Sequence, residues 1–274
     1  MLVGGLQKYL NFFLKLIEIM GRCILLTSGK GGVGKTTLTS NLAAMLSKMG
    51  YETLAIDANF TDPNLGIHLG THLVTKTLHD VLRGDEKLEN VIYTHPLGFK
   101  VIPGSLSINA LKNINYKKLS SIILKLLSKF DFILLDSAAG LGEETMSAMD
   151  SVGEVLVVTN PDLPSVTDAF KTIKYAEKKN KKVIGVILNR VKKNQYELDE
   201  KELSEMFGVP IIGSVPEDIS IAKSIHKKIP VVHIDSNSPA AKEIRKIAHK
   251  IVGKHYYETE KEGVFGRLLK LFGK

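Results

Sequence analysis

The sequence predicts an α/β fold, a mainly parallel twisted sheet with helices on both faces. Short runs that are apolar at nearly every position, rather than at alternate ones, recur along the chain. That is the pattern of strands buried on both sides. Between almost every pair of runs lies a stretch with helical periodicity, and such alternation places strands side by side in parallel. The 274 residues, 44% hydrophobic and 24% charged, suffice to bury a sizeable core.

The elements follow in order. "CILLTS" (23–28) reads as a strand, then a glycine-rich stretch, then the helical pattern "TTLTSNLAAMLSKMG" (36–50) stopped by Gly50. "ETLAID" (52–57) is the next strand, "TLHDVLRG" (77–84) a short helix, and "GFKVIPG" (98–104) a strand ending in a Pro-Gly turn. "YKKLSSIILKLLSKF" (116–130) is an amphipathic helix. The strands "DFILLD" (131–136), "GEVLVVT" (153–159), "KKVIGVILN" (181–189) and "VPIIGSVP" (209–216) follow. Between and after them come the helices "SVTDAFKTIKYAEKK" (165–179), "LDEKELSEMFG" (198–208) and "EDISIAKSIHKK" (217–228). "SPAAKEIRKIAHKIVG" (238–253) closes the series, with Ser238 as N-cap. One domain is expected over 21–253, flanked by an N-terminal extension (1–20) and a C-terminal linker and tail (254–274).

Composition narrows the function classes. Cys23 is the single cysteine, so a disulfide within the chain is excluded, a cysteine-held cluster or zinc site is disfavoured, and a cytoplasmic compartment is expected. Thirty-seven basic against 29 acidic residues give +8, which suits anionic partners such as a lipid surface or nucleic acid. A run such as "KKNKK" (178–182) reads by itself as a solvated face. No stretch approaches the roughly 18 uninterrupted apolar residues of a spanning helix. In residues 1–20, Leu6, Leu10, Phe13, Ile17 and Met20 recur at helical spacing with Gln7, Asn11, Lys15 and Glu18 opposite. This reads either as an amphipathic helix or as a consequence of start-site choice, Met20 standing just before the first strand. His68, His72 and His79 have no accompanying metal-ligand spacing and are assigned ordinary surface or packing roles.

The chemistry concentrates in "GKGGVGKTT" (29–37), which fits G-x-x-x-x-G-K-[ST] through Gly29, Gly34, Lys35 and Thr36, between a strand and a helix. In such a loop small residues, here Gly29, Gly31, Gly32 and Gly34 with Lys30 and Val33 between them, let backbone N–H groups wrap phosphates. The helix start at Lys35, Thr36 and Thr37 adds partial positive charge; Lys35 reaches the outer phosphates and Thr36 holds Mg²⁺.

The longer string "SGKGGVGKTTLTSNLA" (28–43) resembles the deviant Walker A motif of the MinD/ParA family of dimerising ATPases, and "VVTNPDLPSVTDA" (157–169) with "ILNRV" (187–191) is similar to its MinD branch. The resemblance implies an ATP- and Mg²⁺-dependent homodimer in which Lys30 reaches the nucleotide of the facing subunit. It implies that Asp57 serves the Mg²⁺ shell and that Asp136, in "FDFILLDSAAGLG" (130–142), supports it through water, with Gly140 letting backbone approach the γ-phosphate. It places Asn189 and Arg190 at the adenine, flanked by Pro216 and Asp218. The catalytic set it implies is Lys30, Lys35, Asp57 and the residue at 59.

At that last position the chain departs from the family. "AIDANFTDPNLG" (55–66) carries Asn59 where D-x-D would put the carboxylate that orients the attacking water. An amide still accepts a hydrogen bond but takes no proton, so a slow ATPase is expected. Asp62, three residues on, reads as capping its own backbone in the turn "TDPN" (61–64) rather than as a substitute.

The tail "EGVFGRLLKLFGK" (262–274) sets Val264, Phe265, Leu268, Leu269 and Phe272 at helical spacing among Arg267, Lys270 and Lys274. That is the pattern of a helix lying in a bilayer interface, and it resembles the membrane-targeting helix of MinD-type proteins. The reading is therefore an ATP-dependent membrane switch on the cytoplasmic face of the cell membrane, working with a protein partner the sequence does not identify to position division or other polar machinery. The alternatives are a partition-type ATPase on nonspecific DNA, disfavoured by the tail, and a nearly non-hydrolysing ATP-bound scaffold.

Overall fold

The structure, a computed structural model, describes residues 21–253. The amphipathic pattern of 1–20 and the predicted membrane residues Val264, Phe265, Leu268, Leu269 and Phe272 lie outside the described residues. The strands are β1 (Arg22–Ser28), β2 (Thr53–Ala58), β3 (Tyr93–Thr94), β4 (Lys100–Ile102), β5 (Phe132–Ala139), β6 (Glu154–Thr159), β7 (Lys182–Val191) and β8 (Ile211–Pro216). They form one sheet in the order β3-β4-β2-β5-β1-β6-β7-β8. Every pairing is parallel except β3 with β4 at the edge. The predicted α/β class holds; the two-residue antiparallel edge is too short to leave a pattern in the sequence.

The helices are α1 (Lys35–Lys48), α2 (Leu65–His68), α3 (Leu78–Arg83), α4 (Lys118–Leu126), α5 (Glu143–Asp150), α6 (Leu163–Lys178), α7 (Glu200–Phe207), α8 (Ile219–Lys227), α9 (Val231–Ile234) and α10 (Pro239–Val252). Side chains alternate across the sheet, so β1 sends Ile24 and Leu26 into one core layer and Cys23 and Leu25 into the other. The first layer takes the apolar faces of α1 and α10, and the second those of α4, α5 and α6. A strand covered on both faces has no reason to alternate, which is why these runs read as continuously apolar.

Element α5 was not foreseen. Its sequence, EETMSAMD, has a weak apolar stripe, and it buries Thr145, Ala148 and Met149. Element α10 is the opposite case: Ala240, Ala241, Ile244, Ile247, Ala248 and Ile251 are buried on one face. Ser238 caps it by accepting from the Ala241 N–H at 3.2 Å, as predicted, and Gly253 ends it in a left-handed turn. No helix among the described residues is long and apolar enough to cross a membrane.

Strand β1 lies inside the sheet; from it the chain passes to β2 on one side, and after β5 it crosses β1 to β6 on the other. In open α/β sheets this reversal leaves a crevice at the carboxyl ends of the strands. Because α10 closes the layer over α1, Ile244→Ala should lower the unfolding free energy by about 2–5 kcal/mol, measured as a shift of the urea midpoint.

Candidate functional site

The crevice begins where β1 ends at Ser28. From there the chain turns through 29–34 into α1, and Gly34 stands at the helix start with φ +99°. Two constraints hold glycine there. The backbone lies in the left-handed region, and a Cβ would stand 2.2 Å from the Asn189 Nδ2. Asn189, at the end of β7, donates that amide to the Val33 carbonyl at 2.7 Å. Val33 itself is buried in the core layer beneath α1.

Lys35 is buried and donates its Nζ to the Ser28 hydroxyl at 2.8 Å, and that hydroxyl donates to the Lys30 carbonyl at 2.7 Å. Burial pulls the Lys35 ammonium below its usual pKa, and the Asp136 carboxylate pulls it back up. Gly31, Gly32, Gly34, Lys35 and Thr36 line a cavity of about 480 Å³ closed on its other sides by Asn59, Asp62, His68, Ser137 and Glu144.

Parallel register sets Asp57 of β2 directly beside Asp136 of β5, and both are fully buried. Asp57 accepts from the Asn59 N–H at 3.2 Å and from the Leu65 N–H at 2.9 Å. Asp136 has the Thr39 hydroxyl at 3.5 Å from its Oδ1, while its Oδ2 is buried with no hydrogen-bond partner. Burial raises the Asp136 pKa to about 6, against the opposing pull of Thr36, Lys35 and Thr39. Burial, then the charge of Asp136, raises Asp57 well above the carboxylate range. A divalent cation fits this pair: it would take the orphaned oxygen and offset two adjacent buried charges. Thr36, Asp57 and, through water, Asp136 are the residues that would hold it.

Beyond α1 lies a second cavity of about 420 Å³, lined by Thr37, Leu38, Asn189, Arg190, Pro216, Asp218 and the apolar side of α8. It is more apolar than the first and suits a flat base. Arg190 is exposed at its rim with φ +55°. Asp218 lines it too, but its carboxylate is committed to capping, accepting from the Ser220 N–H at 2.8 Å and the Ala240 N–H at 3.1 Å.

The other predicted site residues have surroundings of their own. Gly140 takes φ +76°, and its N–H donates to the Ser28 carbonyl at 2.8 Å, so it ties the end of β5 to the phosphate loop. Gly29 packs against the Asp168 backbone, where a Cβ would stand 2.3 Å from the carbonyl oxygen. Lys30 is exposed and lines neither cavity. The chain bends at 60–62, and the side chain that bonds across the bend is Asn59, a correction to the assignment of Asp62. Asn59 Oδ1 accepts from the Asp62 N–H at 3.3 Å and its Nδ2 donates to the Asp62 carbonyl. The reason is order along the chain: an Asx side chain reaches forward to backbone two or three residues on, and Asn59 precedes the bend while Asp62 sits within it.

Ser28, His68 and Glu144 belong to the site and were missed. Glu144 left a legible trace, two acidic residues just after Gly142 marking a helix start. Burial holds the His68 pKa below its usual value. His79 is packing, with Ser105 N–H on its Nδ1 at 3.0 Å and the Phe60 carbonyl 3.0 Å from its Nε2. The described residues contain no group of three or more His, Cys, Asp or Glu placed to hold a metal ion, and Cys23 is buried in β1.

A glycine loop opening a helix at the switch point, a buried lysine and paired carboxylates define a P-loop nucleotide-binding protein. The family model described as "ParA: NUBPL iron-transfer P-loop NTPase" matches residues 20–252. The chain belongs to this ParA family of P-loop NTPases, on its MinD side. It is 35% identical over 263 residues to an ATP-binding protein of Methanocaldococcus jannaschii, covering 94% of this chain and all of the relative. The septum site-determining protein MinD of Pyrococcus horikoshii, solved with Mg-ADP, superposes with a TM-score of 0.82 at 37% identity over 85% of this chain and 96% of that one. MinD of Aquifex aeolicus, solved with MinC, gives 0.78 at 30% identity over 89% of this chain and 100% of that one.

The carboxylate pair yields a pH test. The folded protein without metal keeps the Asp136 proton up to about pH 6, whereas the ordinary aspartate value is 3.8. The folded state therefore binds the extra proton, and the charged form costs stability that is relieved as pH falls through that window. In metal-free protein, Asp136→Asn should raise the melting temperature more at about pH 7.5 than at about pH 5. Adding Mg²⁺ and nucleotide should stabilise the wild type and not the variant.

Proposed function

We propose that the chain is a MinD-like ATPase that dimerises on ATP, attaches in that state to an anionic membrane surface, and there positions cell-division or other polar machinery through a protein partner. The observation that carries this reading is a cavity lined by the glycine loop, Lys35 and Thr36 beside a loop lysine, Lys30, that is exposed and lines no part of it. A lysine that plays no part in its own cavity suits a phosphate on a second copy, so that nucleotide becomes part of the interface. Kinship with MinD proteins supports the same assignment.

The chemistry follows from the residues. Lys35 and the N–H groups at the start of α1 hold the outer phosphates, and Thr36, Asp57 and Asp136 hold Mg²⁺, which neutralises charge developing on the phosphate oxygens. Arg190, Asn189 and the apolar wall of α8 hold the base. Asn59 accepts a hydrogen bond but no proton, and both ends of its amide are engaged with the Asp62 peptide. Turnover is therefore slow, and the ATP-bound state is long-lived.

The tail supplies the readout. Burying Val264, Phe265, Leu268, Leu269 and Phe272 yields on the order of 7–12 kcal/mol at full depth, while ordering about ten residues costs roughly 10 kcal/mol or more. One tail is marginal. Two tails held by an ATP-bound dimer act at high effective concentration, so dimerisation turns weak adsorption into attachment. The net charge of +8 also allows a second reading, a partition-type ATPase on DNA, against which the amphipathic tail argues.

Three measurements test the proposal. Vesicles containing anionic lipid should sediment the full chain with ATP but not with ADP or without nucleotide, and removal of 263–274 should abolish binding. Salt-sensitive DNA binding that ignores the tail would favour the partition reading instead. Lys30→Ala should stay monomeric in light scattering at saturating ATP and magnesium. Asn59→Asp should hydrolyse ATP faster than the wild type, and a rate no higher would refute the role given to position 59.

A further inference from the structure

The loop after β2 holds part of its own backbone. The Asn59 N–H goes to Asp57 and the Asp62 N–H to Asn59. The two N–H groups between them have no partner within the loop. Both donate to one oxygen, Glu144 Oε2, from Phe60 at 2.9 Å and from Thr61 at 3.1 Å. Glu144 comes from the first turn of α5, 84 residues away in sequence from Phe60.

That helix is in turn fixed to the phosphate side of the crevice. The Gly140 N–H before it donates to the Ser28 carbonyl at 2.8 Å, and the Thr145 hydroxyl donates to the Ala138 carbonyl at 3.3 Å. On its other side the Ser147 hydroxyl donates to the Tyr116 carbonyl at 2.9 Å, and the Tyr116 ring meets the buried Phe60 ring with centroids 5.1 Å apart. Peptide and side chain of Phe60 are thus both held against this half of the molecule. Glu144 also lines the phosphate cavity with Lys35, Asn59 and Asp62.

We propose that Glu144 is a positioning residue for ATP hydrolysis: by clasping the Phe60 and Thr61 peptides it sets where Asn59 stands over the phosphate cavity. The inference rests on the ATPase reading above and deepens it. With an amide at position 59 the site has no proton acceptor there, so placement is what that residue contributes. Placement is costly to lose, since an error of about 1 Å in a reacting geometry is worth about a hundredfold in rate. A carboxylate oxygen receiving two backbone N–H groups is a strong clasp, because charge-assisted bonds are roughly twice as strong as neutral ones. The step itself is unchanged: water attacks the γ-phosphorus, the bond to the β-phosphate oxygen breaks, the water's proton leaves on the released phosphate, and Glu144 neither gains nor loses a proton.

Glu144→Ala and Glu144→Gln, each made in the wild type and in Asn59→Asp, test this by ATP turnover and by amide hydrogen exchange over 59–62. Glu144→Ala should lower kcat by about tenfold or more with KM for ATP within about twofold, and should speed exchange at Phe60 and Thr61 while leaving β1 and β5 protected. Glu144→Gln keeps an acceptor oxygen and should hold kcat within about threefold. The gain from Asn59→Asp should shrink in the Glu144→Ala background, since the two act through one geometry. Unchanged exchange and unchanged kcat in Glu144→Ala would overturn the role of Glu144 alone. So would a Glu144→Gln variant as slow as Glu144→Ala with its amide protection intact, because the carboxylate would then be acting in proton transfer. Absence of turnover in both the wild type and Asn59→Asp would remove the ATPase reading and this inference with it.

Discussion

Asp57 and Asp136 lie side by side, buried, at the ends of adjacent parallel strands, and much of the crevice is arranged around the electrostatic problem they pose. Two carboxylates in register in a desolvated site repel, and each is pushed toward its neutral form. The surrounding groups oppose that push only in part: Leu65 and Asn59 donate backbone N–H groups to Asp57, while Lys35, Thr36 and Thr39 face Asp136. One oxygen of Asp136 is left with no partner. A divalent cation with nucleotide would resolve this cost, and ligand binding would then be coupled to the stability of the fold.

The same register explains the placement of the phosphate loop. With β1 between β5 and β6, the chain leaving β1 rises at the switch point and turns back as α1 over one face. Strands from both sides hold that turn. Asn189 of β7 bonds the Val33 carbonyl, and Gly140 after β5 bonds the Ser28 carbonyl. Asn189 lines the base cavity while fastening the phosphate loop, so one side chain joins the two halves of the nucleotide site.

The loop carrying Asn59 meets the crevice from the opposite direction, and its conformation is decided by three side chains. Asp57 and Asn59 organise it from within, and Glu144 holds it from α5. Such an arrangement links the segments after β2 and after β5. In phosphoryl transfer these are places where small displacements matter, because positioning and electrostatics supply most of the catalysis.

The sequence by itself determined the sheet class, the order of the major elements and the phosphate loop through Lys35 and Thr36, while the family resemblance pointed to the carboxylates at 57 and 136. It did so because continuous apolar runs and a fixed local motif are written over a few consecutive residues. Ser238 as the cap of α10 belongs in the same group. Tertiary structure alone decided the partners that lie far apart along the chain: Glu144 on the Phe60 and Thr61 amides, Asn189 on Val33, and Asp218 drawn to the Ala240 N–H as well as to its own helix. It also decided that Asn59 and not Asp62 caps the turn, and that α5 forms at all on so weak a stripe. These are contests among polar groups for a limited supply of backbone donors, and spatial proximity settles such contests where residue type alone leaves them open.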